Sequence, residues 1–474
     1  MRRKNNCNDK QHQKIIKRRQ PVVDREVDFT MAINYSPPVR KEKTQIKGSK
    51  PFNEVPTKSY PLLFVKKCEE CYHVFDFQMY NLYQKQIDIK STLLLQIISG
   101  FDNKYLDNSV GPKHFNIFLE MIRRNIFRAF PNIMLKDCDV NYLSWPHLKL
   151  VYCCLKKSLF FNFYKNISTN FLYNLLKNTA SYDKRERICA SDIVYELYLR
   201  HENLRPAICK CISNLLSINT LSNELLQLIN SIYVKANASL NTDFFIEYIL
   251  PIHLSEKSML YQSLLECDLS FTRRDPNLFP FIFQYLLNHW PITNLKKYSF
   301  FLKIIVKLFE LTLIDNRRKE NSVEITPEMA NAFFDAVSLC SCSEYADVAS
   351  YALLIINTPI INDVYKISTC IHRNEYNDEY DNNYLEESNN CTFLKIYQSV
   401  ILAENHWDDT VRSLALDAKL ALSNLDPMKF KKNCKKLANK KGDIKNAPNR
   451  IDERWNIILR QAKKRYKTIK LIVQ

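Results

Sequence analysis

A chain of 474 residues that holds only four glycines has few places to turn tightly. Glycine averages about 7% of residues in globular proteins, and sheet-rich folds need it for hairpin turns and bulges. The deficit therefore favours helices. Apolar residues recur at helical spacing: Leu204, Ile208, Ile212 and Leu215 form one stripe, and Leu225, Leu228, Ile229 and Ile232 another. The chain turns at Glu202-Asn203-Leu204-Arg205-Pro206. Two such helices cannot bury their stripes alone, so neighbouring pairs must stack on them. The expected fold is all-α, a HEAT-like helical-repeat solenoid (an alpha-alpha superhelix) with disordered basic termini. Hairpins begin near residues 166, 205, 243, 276 and 327, compatible with a pitch of ~40 residues. Pro206, Pro251, Pro276 and Pro291 fall at helix starts or corners, where a missing N–H costs little.

Charge divides the chain. The net charge is +18, but residues 1–20 carry +7 and residues 429–474 carry +13, which leaves the body between them at −2. Residues 1–58 read as a disordered basic arm, 59–428 as the solenoid, and 429–474 as a lysine-rich tail with a terminal helix over 452–466 around Trp455. Residues 371–391 are polar, acidic and aperiodic, and read as a surface insertion. Lys14, Lys17, Arg18 and Arg19 read equally as a nuclear-import cluster or a solvated tail. Fifteen scattered cysteines without a framework spacing, and an N-terminus without an apolar run, point to a reducing compartment. Cytoplasm or nucleus is the expectation, with no membrane span.

Candidate chemistry is sparse. Cys68 and Cys71 have C-x-x-C spacing, and Cys209/Cys211 and Cys340/Cys342 are C-x-C pairs, but no second half completes a zinc site, so core thiols are expected. His147 and His253 follow prolines at corners and read as structural hydrogen-bonding residues. No glycine-rich phosphate loop and no paired Asp/His set of a two-metal centre is present. The sequence is not that of an enzyme, and no cofactor is expected. Asp183, Arg185, Glu186 and Arg187 stand where they can cap helix ends and pair with one another.

Several of these stretches carry a resemblance. Asp183-Lys184-Arg185-Glu186-Arg187, Tyr198, Leu204-Arg205 and Glu224-Leu225-Leu226 occur in order with Ser144-Trp145-Pro146-His147-Leu148, Leu250-Pro251-Ile252-His253, Trp290-Pro291 and Asn405-His406-Trp407. Over about residues 60 to 465 the chain resembles the B-prime family of protein phosphatase 2A regulatory subunits. The resemblance implies a non-catalytic subunit that binds the phosphatase scaffold and catalytic subunits. It also implies a groove for substrate or adaptor motifs of the form L-x-x-I-x-E, at Tyr198, Arg205, Leu228 and Ile232. Solenoid packing is the competing account of these four positions, and Arg205 is the hardest to explain that way.

The chain departs from the family at Tyr195, Glu196, Glu202, Cys209 and Gln227. An arginine is lost at Cys209 and carboxylates are gained at Glu196 and Glu202, so weakened or altered motif specificity is expected. The loop before Trp145 is short, with Asp137 and Asp139 its acids and Lys136 beside them. That departs from the acidic loop the family turns toward its catalytic subunit. The rival expectation is a HEAT-repeat adaptor outside the phosphatase, serving transport or nucleic-acid assembly through its basic tails.

Overall fold

The computed structural model describes residues 45–106, 109–128, 140–161, 167–234, 242–291, 294–318, 323–369 and 382–444. Among these the regular structure is helical. The chain divides into two compact units, one up to Ile212 and one from Ser213. The first holds α1 (Tyr60–Glu70), α2 (Tyr80–Asp102), α3 (Pro112–Ile126), α4 (Trp145–Ser158), α5 (Thr169–Lys177) and α6 (Lys184–Arg200). The boundary falls within α7 (Arg205–Ser217).

The second unit holds α8 (Asn223–Val234), α9 (Thr242–Phe244), α10 (Tyr261–Arg274), α11 (Leu278–Asn288), α12 (Leu295–Arg318), α13 (Pro327–Ser341), α14 (Ala346–Ile356), α15 (Pro359–Thr369), α16 (Asn382–Ala403), α17 (Asp409–Leu425) and α18 (Pro427–Ile444). In the first unit α2, α4 and α6 stack in series, and α1 packs on α3. In the second, α8, α10, α12, α14 and α17 form one row, while α13 packs on α16. The packed helices thus lie two or three elements apart in the chain, the pattern of a helical-repeat solenoid. The two stripes read from the sequence are buried, Ile208 and Leu215 wholly so.

Order begins earlier than residue 59. Ile46 and Phe52 are buried, and Gly100 in α2 makes room for Phe52, since a Cβ there would lie 2.8 Å from its ring. These are single anchors without a period, which a search for stripes passes over. The apolar run from Leu63 to Phe77 is not one helix. The helix stops at Glu70, and α2 restarts at Tyr80 through a polar first half.

The expected insertion also ends early, because α16 begins at Asn382. Glutamates such as Glu386 and Glu387 are good helix formers, so the helix extends into a stretch with no apolar stripe. The tail boundary at 428 moves as well. Phe430 of α18 packs edge-on against Tyr397 at 5.2 Å, and Cys434 lies 3.0 Å from the Tyr397 hydroxyl. The import cluster, the loop acids Asp137 and Asp139, and the terminal helix around Trp455 lie outside the described residues.

Candidate functional site

Helix α6 is fixed at its start by carboxylates. Asp183 caps it, accepting the Arg185 N–H at 2.9 Å through one oxygen and the Tyr142 N–H at 2.9 Å through the other. The Arg185 guanidinium closes on the same carboxylate at 3.0 and 2.7 Å and covers the Trp145 ring at 5.2 Å. Burial opposes the Asp183 charge, yet these hydrogen bonds hold its pKa below the usual range.

One turn on, Glu186 is wholly buried. It accepts two bonds from Arg128, one at 2.9 Å, with others from the Tyr152 hydroxyl at 2.9 Å and the Ser181 hydroxyl at 2.5 Å. Burial works against the Arg128 charge, and the Glu186 carboxylate outweighs it, so that pKa lies above the ordinary value. Arg187 donates to the Ser181 carbonyl at 3.0 Å. Of the four charged residues expected to cap and to pair with one another, Asp183 caps and pairs with Arg185, whereas Glu186 pairs with Arg128 and Arg187 bonds backbone carbonyls. Arg128 is 58 positions from Glu186, a separation at which local pattern carries no signal.

At the other end of α6 the structure joins Tyr198 to Arg205. The Arg205 Nε donates to the Tyr198 carbonyl at 3.0 Å and its Nη2 to the Leu199 carbonyl at 3.4 Å. These are acceptors that the last turn of a helix leaves unpaired. Its guanidinium also lies over the Tyr198 ring, 5.3 Å from the centroid. Arg205 therefore has a fold role, which removes the argument that packing alone cannot account for it. Its Nη1 meets Glu202 at 3.3 Å, and the side chains remain 35% and 81% exposed. That edge is open to an outside acid, with Glu202 already in place as a competitor.

The other assigned positions scatter by environment. Leu228 and Ile232 are 2% and 1% exposed and belong to the core of the second unit. Gln227 beside them is exposed. Glu196 pairs with Arg200 at 2.9 Å. Tyr195 and Cys209 are half-buried, and burial raises the pKa of each. Cys68 and Cys71 are fully buried thiols; burial pushes Cys71 up to about 12 and Cys68 well above its usual value.

The corner histidines differ. His253 is buried between the Leu250 carbonyl at 2.9 Å and Asp268 at 3.0 Å, as expected of a hydrogen-bonding corner. His147 is also buried, but neither ring nitrogen has a partner among the described residues. It packs on Phe77 at 5.6 Å instead, and burial together with Lys90 depresses its pKa far below the usual value. It is a neutral packing residue, a correction to the sequence reading.

The comparisons with known proteins show the family. The family model described as protein phosphatase 2A regulatory B subunit (B56 family) matches residues 49–462. The chain belongs to this family. Among its relatives is the B' eta isoform of the 59 kDa regulatory subunit of serine/threonine protein phosphatase 2A from Arabidopsis thaliana. The two are 26% identical over 80% of this chain and 74% of that protein. The B' beta isoform of the 57 kDa regulatory subunit from the same plant is 24% identical over 87% of this chain and 83% of its own length. The regulatory subunit pptr-1 of Caenorhabditis elegans is 24% identical over 75% of this chain and 64% of its own. As a B56-family member the chain is a regulatory, non-catalytic subunit of protein phosphatase 2A. The buried ion pairs of α6 hold the fold together, and the outer edge of Arg205 stays exposed.

Proposed function

We propose that the chain joins the scaffold and catalytic subunits of protein phosphatase 2A and brings phosphoprotein substrates to the catalytic subunit. It raises their local concentration at another chain's active site and does no chemistry itself. The family match across residues 49–462 carries this reading. In the motif-binding role, Arg205 beside Tyr198 reads the acidic residue of an L-x-x-I-x-E peptide. The resemblance assigns its apolar residues to Leu228 and Ile232, but both are core residues of the second unit here, so this reading rests on the Arg205 edge. Because Glu202 already faces Arg205, binding is expected to be weaker than an unopposed arginine would give.

Co-purification with the scaffold and catalytic subunits at moderate salt, which silences the basic tails, tests assembly. A stoichiometric trimer is expected, and its absence would move the adaptor reading to first place. For the motif, Arg205→Ala or Arg205→Glu should abolish peptide binding in fluorescence anisotropy. Glu202→Ala should tighten it by up to about 1 kcal/mol, the range for an exposed ion pair. If the unmodified chain binds no such peptide, the motif assignment fails while the assembly reading stands.

A further inference from the structure

Helix α12 begins with a run of lysines that the structure treats unequally. Lys297 is buried and donates to the Leu254 carbonyl at 2.7 Å and to Glu256 at 3.0 Å. Lys307 pairs with Glu310 at 2.6 Å. Lys296 and Lys303 are exposed and have no ion pair among the described residues. Seven residues apart on a helix, they share a face with Ser299 and stand about 10 Å apart along the axis.

A cavity of about 370 Å³ opens between them, lined by both lysines and Ser299. Its aromatic wall is Phe300 stacked on Tyr261, ring centroids 4.1 Å apart and 2° from parallel. Leu265 of α10 and Tyr351 of α14 complete it. The Tyr351 phenol, raised to about 12 first by burial and then by Glu310, stays a neutral donor.

The two lysines without an ion pair among the described residues ask for an anion here. Glu256, the carboxylate at the start of α12, is already taken by Lys297 and Asn294. The carboxylates on nearby turns are engaged, Glu266 by the Gln262 amide at 3.0 Å and Glu310 by Lys307. Two cations this far apart suit two separate anions better than one phosphoryl group. A nucleic-acid track would need a longer run of free cations, and Lys297 and Lys307 are already committed. A polyproline II chain has three residues per turn and rises ~3.1 Å per residue, so side chains three positions apart stand on one edge ~9 Å from each other, and the residue between them lies on the adjoining edge.

We propose that this pocket docks an extended acidic peptide, two carboxylates three residues apart held by Lys296 and Lys303, with a bulky apolar side chain between them in the aromatic pit. Every residue involved lies in the second unit, and the proposal does not depend on the Arg205 reading.

The test is fluorescence anisotropy of the full-length chain with a labelled Ser-Glu-Ala-Phe-Glu-Ser peptide. Saturable binding is expected, weakening as salt rises. The double variant Lys296→Glu/Lys303→Glu should weaken it about tenfold, and Lys296→Gln/Lys303→Gln by less; both positions are exposed, so folding is retained. Replacing both peptide glutamates by glutamine, or the phenylalanine by alanine, should weaken it likewise, and Arg205→Ala should leave it unchanged. The proposal is overturned if the peptide does not bind, if the double variant binds it equally, if Arg205→Ala alone removes binding, or if the two lysines instead capture duplex DNA more tightly.

Discussion

At the carboxyl end of α6, Arg205 donates to the Tyr198 carbonyl and lies over its ring. At the carboxyl end of α8, Arg274 does the same to Tyr233, with a bond of 2.8 Å and 4.8 Å to the ring centroid. The first pair is seven residues apart, the second 41. Tyr233 is also stacked on Phe271 at 3.7 Å, so the second clasp ties α8 to α10, whereas the first closes a single turn. A device that recurs in both units belongs to the fold. What sets Arg205 apart is its local tie and the exposed acid beside it, which let its outer edge change partner without unpacking a repeat.

The cores differ more. The first unit buries charges: the Glu186–Arg128 pair, Lys67 held by Ser49 and the Lys50 carbonyl at 2.7 Å each, and Lys90 held by Asn125 at 2.6 Å. Burial lowers both lysines to about 8. The second unit, which also buries Lys297 and Asp268, carries a chain of rings, Phe279 to Phe309 at 5.1 Å, Phe309 to Phe333 at 4.7 Å, and Phe334 to Tyr365 at 6.2 Å. A core of rings tolerates loss by leaving a cavity, while a core of charges leaves an unmatched ion.

That contrast is broken most directly at Glu186. Glu186→Ala strands Arg128 without its counter-ion and should cost about 3–5 kcal/mol in urea unfolding; a loss near zero would mean the network is solvated after all. Lys90 sharpens the contrast through pH. Its folded pKa, about 8, lies below the ordinary 10.5, so between those values the unfolded chain binds more protons and stability rises with pH. Full displacement is worth on the order of 3 kcal/mol. Lys90→Met should flatten the slope, and an equal slope in that variant would count against a buried ammonium. The smallest effect compares the clasps. Arg274→Ala should cost about 1–2 kcal/mol and Arg205→Ala about half that, since Arg274 joins helices distant in sequence and Arg205 only closes the corner between consecutive ones; equal melting temperatures would erase the distinction.

The helices and their stacking were legible because apolar stripes such as Leu225 to Ile232 are local and periodic. The family was legible because its anchors lie in order along the chain. Ile46 and Phe52 were missed because isolated anchors have no period. The polar first half of α16 was missed because helix propagation needs no apolar face. Of the assigned site, the sequence supplied Tyr198 and Arg205 as neighbours across a turn, but it could not show that Arg205 is already bound to α6 and faced by Glu202.

The sequence by itself determined the fold class and the family, through local spacing, ordered anchors and a scarcity of glycine for sheet turns. Only the tertiary structure decided which charges are buried and with whom. Arg128 meets Glu186, Arg274 meets Tyr233, and Lys296 and Lys303 have no ion pair among the described residues, on the same helix as Lys297 and Lys307. A lysine reads the same in every window of sequence. Its energy depends on what the next-but-one helix places beside it.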